Sequence, residues 1–211
     1  DFRKVIDFNG DGRADLFVVK NNETRVYTID RSSGIIVATL IYSSTNFFPN
    51  NYFVDYQHTY TRFGDFNGDG KTDIINMDLN GIRPNIPGMM ISYSDGEKFI
   101  KKLVNYPTRV VSPTGYIKQV IASDFDKDGK SEIATFYIEP PASGSSNSTI
   151  NVNLYSFFGV NGSKHLKRSY SKSINLLSPT IYDPLITDEN GDGYFEFSFY
   201  AKALFSGVYL P

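Results

Sequence analysis

Apolar and polar residues alternate along this chain in short runs, and no segment sustains a helical period. Four such runs, Arg3–Ile6, Thr59–Phe63, Ile117–Ala122 and Ile181–Ile186, each lead into a turn rich in Asp, Asn and Gly. A β-prone run leaves each turn: Leu16–Val19, Ile74–Met77, Ile133–Tyr137 and Phe197–Tyr200. Two further strands follow in the first three units, Arg25–Ile29 with Ile35–Tyr42, Met89–Tyr93 with Phe99–Val104, and Ile150–Phe157 with His165–Tyr170. The fourth unit offers only a short run at Val208–Leu210 after its second strand.

The turns begin at residues 7, 65, 124 and 188, at intervals of 58, 59 and 64. A steady period of this size marks a repeat architecture in which each repeat is one supersecondary unit. The longest interval contains Glu139–Thr149, a polar Pro/Gly/Ser-rich stretch that reads as an extended loop inside its repeat. The expectation is an all-β chain, a β-propeller-like array of four-stranded antiparallel blades, about 3.5–4 of them. As a single domain of residues 1–211 it divides into blades at roughly 1–57, 58–114, 115–178 and 179–211, the last incomplete.

Composition narrows the setting. Tyr and Phe supply 32 residues, which suits strands. The formal charge of −2 gives no global pull toward nucleic acid, and no apolar run is long enough for membrane insertion by a helix. With no Cys there are no disulfides or thiolate metal sites. Sequons stand at Asn22, Asn147 and Asn161 and matter only in a eukaryotic source. The start at Asp1, close to the first turn, suggests a mature product or an excised piece of a longer chain.

The turns carry the chemistry. They read Asp7–Asp15, Asp65–Asp73, Asp124–Glu132 and Asp188–Glu196. Positions 1, 3 and 5 are Asp7, Asn9 and Asp11; Asp65, Asn67 and Asp69; Asp124, Asp126 and Asp128; Asp188, Asn190 and Asp192. Position 6 is always Gly, which permits a sharp turn. Position 7 varies (Arg13, Lys71, Lys130, Tyr194), as expected if only its carbonyl is used. Position 9 is Asp15, Asp73, Glu132 or Glu196 and can close a shell. Alternating oxygen donors on a tight loop suit Ca²⁺, which takes six to eight oxygens, and favour it over Mg²⁺. An EF-hand would need a bidentate acid at position 12, where Val18, Asn76, Thr135 and Phe199 stand instead. Uncompensated, three or four carboxylates this close oppose ionisation and folding. Up to four Ca²⁺ would raise the formal charge from −2 to about +6. The third loop has four acids and should bind most tightly. The fourth replaces the position-2 Phe (Phe8, Phe66, Phe125) with Glu189, crowds its ligands with Tyr194 and Phe195, and should bind least well.

The motif Asp-x-Asn-x-Asp-Gly-x-x-Asp, followed by Leu/Ile-x-Val and recurring about every 60 residues, resembles the FG-GAP/VCBS repeat, of bacterial type. Its Phe-Gly survives as Phe63-Gly64 before the second loop. The resemblance implies a β-propeller of the integrin-α N-terminal kind, with calcium in the hairpin between the two innermost strands of each blade. In bacteria it implies a scaffold domain of a secreted or surface protein, such as an Rhs- or toxin-like chain.

Catalytic groups are sparse. His58 and His165 lie in unrelated contexts, and there is no Gly-x-Ser-x-Gly or His-Glu-x-x-His. The expectation is a non-enzymatic, calcium-binding scaffold whose partner is a protein or the flanking domains of its parent chain. A calcium-dependent lectin is the alternative, with Tyr-rich stretches such as Asn51–Tyr60 suited to stacking on sugar or to an interface. A propeller-based hydrolase or lyase ranks below both. The expected location is extracellular or at a cell surface.

Overall fold

The computed structural model describes residues 2–21, 23–31, 34–45, 47, 59–78, 89–103, 116–139, 147–158, 163–175, 181–187 and 196–201. These residues form strands and turns, with no helix among them. The first sheet holds β1 (Phe2–Ile6), β2 (Asp15–Lys20), β3 (Glu23–Asp30) and β4 (Val37–Thr45). The second holds β5 (Thr59–Gly64), β6 (Asp73–Asp78), β7 (Met89–Ser94) and β8 (Phe99–Leu103). The third holds β9 (Tyr116–Ser123), β10 (Glu132–Glu139), β11 (Asn147–Phe158) and β12 (Ser163–Asn175). A hairpin of β13 (Ile181–Thr187) and β14 (Glu196–Ala201) forms a fourth sheet. Each four-stranded sheet is an antiparallel meander in sequence order, the connectivity of a propeller-like blade.

The first hairpin of every unit has the same register. Its last pairs are Ile6 with Asp15, Gly64 with Asp73, Ser123 with Glu132, and Thr187 with Glu196. Positions 1–8 of each Asp-rich motif are therefore the connection, and position 9 opens the return strand.

The return strands differ in burial. In β2, Asp15, Phe17 and Val19 are buried while Leu16 and Val18 are only partly covered, the period-2 signature of one packed face. In β6, Asp73 to Asn76 are all buried, as are Glu132 to Phe136 in β10, so both faces of these strands are covered. One core cluster joins the first two sheets through Phe8, Phe17, Val26, Ile74 and Phe99. Within it Phe8 lies 4.9 Å from Phe99 of the second sheet, ring centre to ring centre, and Phe17 lies 5.4 Å from Phe63. A smaller cluster in the third sheet centres on Phe125, Ala134, Phe136 and Val152. Among the described residues, most of the exposed large apolar side chains belong to the first unit: Val5, Ile35, Ile36, Val37, Leu40 and Ile41.

Several strand limits differ from expectation. β11 and β12 run from Asn147 and to Asn175, well beyond Ile150–Phe157 and His165–Tyr170. The added residues are mostly polar, and ladder pairing from Asn147 with Asn175 onward satisfies their backbone where composition gave no strand signal. β4 starts at Val37 because Gly34, at φ +76°, bends the chain and donates to Arg31 O. β3 and β11 carry bulges at equivalent places, before Tyr27 and Tyr155. Residues 51–58 (His58 among them), 140–146, 188–195 and 208–210 lie outside the described residues.

The second and third sheets meet closely at Gly64. A Cβ there would fall 2.6 Å from Ser131 Oγ and 2.8 Å from Ser131 Cβ. Arg62 adds a tie, donating from Nε to Val120 O at 2.6 Å. Gly64→Ala is expected to destabilise the protein by roughly 1–3 kcal/mol through overpacking, and Ser131→Gly in the same chain should restore most of the loss. Thermal or denaturant unfolding of the single and double variants checks both statements.

Candidate metal centre

Three of the four loops are described in full, and their internal bonding is nearly identical. The position-1 carboxylate bridges the turn: Asp7 accepts from the N–H of Gly10 (2.8 Å) and Gly12 (2.9 Å), and Asp65 from Gly68 (2.7 Å) and Gly70 (2.8 Å). Asp124 accepts from Asp128 (3.1 Å) and Gly129 (2.9 Å). Position 3 accepts from the N–H of position 5, through Asn9, Asn67 and Asp126. Position 5 accepts from the N–H of position 7, through Asp11, Asp69 and Asp128. Backbone amides thus fix all three side chains on one concave side while leaving each carboxylate with further lone pairs.

Position 4 adopts a left-handed backbone in all three loops: Gly10 at φ +77°, Gly68 at +79° and Lys127 at +58°. Glycine is the unstrained choice there. It also makes room, because a Cβ on Gly10 would meet Lys71 Cγ at 3.1 Å and one on Gly68 would meet Lys130 at 3.0 Å. The position-7 side chain of one loop therefore lies across the preceding loop. Lys71 Nζ also reaches Asp69 of its own loop at 3.2 Å.

In the third loop Asp124, Asp126 and Asp128 offer oxygens that all lie within 4.8 Å of one another. Carboxylates this close suit a cation between them, and the donor set is the hard-oxygen kind that calcium takes. Glu132 is not part of that group of oxygens.

Position 9 has a different setting. Asp15, Asp73 and Glu132 are essentially inaccessible, and each accepts the position-2 N–H: Phe8 at 2.9 Å, Phe66 at 3.0 Å, Phe125 at 2.9 Å. The longer Glu reaches the same amide as the two Asp residues. Asp15 Oδ1 meets no donor in bonding geometry among the described residues, although the Thr28 hydroxyl lies near enough to the carboxyl to favour its charge, and a buried oxygen in that state fits a cation ligand. Asp73 Oδ1 accepts from Ser94 N–H at 2.9 Å. Burial raises the pKa of Asp73 to about 7 against the amides of Ser94 and Phe66, with Asp69 and Asp65 adding to the rise. Asp15 is also raised by burial, partly offset by the Phe8 amide and Thr28 hydroxyl.

Of the residues singled out from sequence, the described ones fall into two sets. Positions 1, 3 and 5 bring their oxygens together in the third loop, in the first two the position-3 Asn donates from Nδ2 to the position-5 Asp, and position 9 is the buried end of each hairpin. Arg13, Lys71 and Lys130 follow the converging set, each N–H bonded to position 5. Asp188, Asn190, Asp192 and Tyr194 lie outside the described residues, and for Glu196 only the pairing of its backbone with Thr187 is given. His165 pairs with Ser156 in the third sheet. Sequence reading missed Thr72, Ser94 and Ser131, and noted Gly64 only as part of the Phe-Gly pair, although all four join neighbouring units. For Thr72 and Ser131 the visible signal is the small residue at position 8 of the first three loops, Ala14, Thr72 and Ser131.

Asp73 carries a pH consequence for metal-free protein. Its folded pKa of about 7 lies above the ordinary 3.8, so between those values the folded state holds the extra proton. Stability should therefore fall as pH rises from about 4 to about 7 and then level off. Melting curves in chelator across this range check it, and Asp73→Asn should flatten the slope.

Comparison with known proteins follows the same lines. Residues 7–76 match the family described as FG-GAP-like repeat, a span holding the first two loops and strands β2 to β6 almost whole. No curated protein matches the chain. The chain carries an FG-GAP-like repeat.

Proposed function

We propose that this chain is a calcium-binding, non-catalytic β-propeller-like scaffold of a secreted or surface protein, with up to four Ca²⁺ pinning its hairpins. The observation that supports this best is the third loop, where three carboxylates held by backbone amides crowd their oxygens together. FG-GAP repeat domains are generally scaffolds rather than catalysts, and the repeat suggests an interaction role. The exposed apolar side chains of the first unit, Val5 and Ile35 to Val37 among them, offer area to a protein partner or a flanking domain. Each ion would join the folded state only, so it stabilises by mass action.

A calcium-dependent lectin is the second reading, favoured by one feature. A cleft of about 600 Å³ lies beside the second loop, lined by Tyr93, Ile100, Lys102 and Lys130 with Phe66 and Phe157. Aromatic and cationic groups around a cleft suit a sugar ring with polar substituents. Screening the calcium-loaded chain on a glycan array separates the readings: specific sugar binding supports the lectin, and its absence leaves the scaffold.

Titration of chelator-stripped protein should give calcium-dependent heat, with Mg²⁺ much weaker. At about 100 times Kd, calcium should add roughly 2.7 kcal/mol of stability per site. Asp128→Asn should abolish the tightest event. A chain with neither heat nor stabilisation would show the loops to be metal-free turns.

A further inference from the structure

The hydrogen bonds that join the first and second loops form a continuous buried path. Asp15 Oδ2 of the first loop accepts from Phe8 N–H at 2.9 Å. Phe8 O accepts from Ser94 Oγ at 2.6 Å, and Ser94 N–H donates to Asp73 Oδ1 at 2.9 Å. Asp73 Oδ2 in turn accepts from Phe66 N–H at 3.0 Å. Two position-9 carboxylates from neighbouring loops are thereby connected through one serine, with every bond in the path buried.

A second tie runs alongside. Thr72, at position 8 of the second loop, donates its N–H to Asp7 O at 2.7 Å and accepts from Asp7 N–H on Oγ1 at 3.0 Å. Asp7 is the first ligand position of its loop. Both its backbone polar groups are thus held by the neighbouring loop, while its carboxylate holds Gly10 and Gly12.

The junction between the second and third loops is built differently. Ser131 N–H still donates to Asp65 O, at 2.6 Å. The place of Ser94, two residues beyond the partner of the first position after the loop, is taken by Phe157, as the pairs Ile74–Ser92 and Ile133–Tyr155 show. Phe157 packs its ring 5.7 Å from Phe66 and has no side-chain hydroxyl to donate to Phe66 O as Ser94 donates to Phe8 O.

We infer that Thr72 and Ser94 are positioning residues that couple calcium binding in the first and second loops, while the third loop binds more independently. This rests on the calcium reading above. A cation in the second loop would hold the turn from Asp65 to Asp73 that its own amides already order around Asp65, Asn67 and Asp69. Asp73 then fixes Ser94, and Ser94 with Thr72 fixes Phe8 and Asp7, so part of the ordering needed by the first loop is already done. By linkage the effect is reciprocal.

The test reads each loop separately by two-dimensional NMR during calcium titration of the whole chain. Gly10 and Gly12 report the first loop, Gly68 and Gly70 the second, and Gly129 the third. Asp69→Asn disables the second loop, and it should raise the first-loop midpoint by roughly five-fold or more. The Gly129 midpoint should move by less than about two-fold. In a Thr72→Val, Ser94→Ala background, Asp69→Asn should shift the first-loop midpoint by less than about two-fold. Neither background change alters charge, so through-space electrostatics is the same in all arms. If the double background fails to fold, Thr72→Val alone should reduce the coupling, and Thr72→Ser should retain it. A first-loop midpoint indifferent to Asp69→Asn, or a Gly129 shift as large as that of Gly10, overturns the coupling and leaves the calcium reading intact. Glycine signals indifferent to calcium in the unaltered chain overturn the calcium reading, and the coupling with it.

Discussion

In each of the three fully described hairpins a carboxylate at loop position 9 is buried and accepts the N–H of position 2. That bond closes the base of the turn. It places the Phe of position 2 inward, where Phe8 and Phe66 each meet an aromatic residue of the next sheet, and it leaves positions 1, 3 and 5 above it facing outward. A buried charge without compensation is costly. The elevated pKa of Asp73 is the sign of that cost in metal-free protein. A cation just above the carboxylate would offset it, so one group serves the packing below and the proposed metal site above.

The sheets are joined through the same loops. Backbone groups of position 1 accept from position 8 of the next loop, Thr72 onto Asp7 and Ser131 onto Asp65. Such contacts use atoms that every residue has, so the joint tolerates sequence change provided the side chains stay small. Gly64 shows the limit, where Ser131 comes too close for any Cβ. The interfaces are not equivalent. The first is filled with rings from Phe8, Tyr42, Phe47 and Phe99, whereas the second leaves the cleft beside Tyr93.

The period and the hairpins were legible from the chain, because each depends on local chemistry. An Asp/Asn/Gly turn between two β-prone runs closes in only a few ways, and four copies reinforce each other. The polar ends of β11 and β12 were not legible. Residues such as Ser171 to Asn175 become strand only because a partner is present to take their backbone bonds.

Position 9 shows most clearly where local information stops. Its acidic character and its place in the motif were determined by the sequence, whereas its pairing with the residue before the loop, as first residue of the return strand, came with the structure. Its burial came only with the fold, since it requires the neighbouring sheet to cover the hairpin. So did the bridge from Asp73 through Ser94 to Phe8, which joins residues 86 positions apart along the chain. Short-range turn chemistry is written in consecutive residues. Which serine or glycine stands opposite a turn is decided by how one repeat stacks on the next.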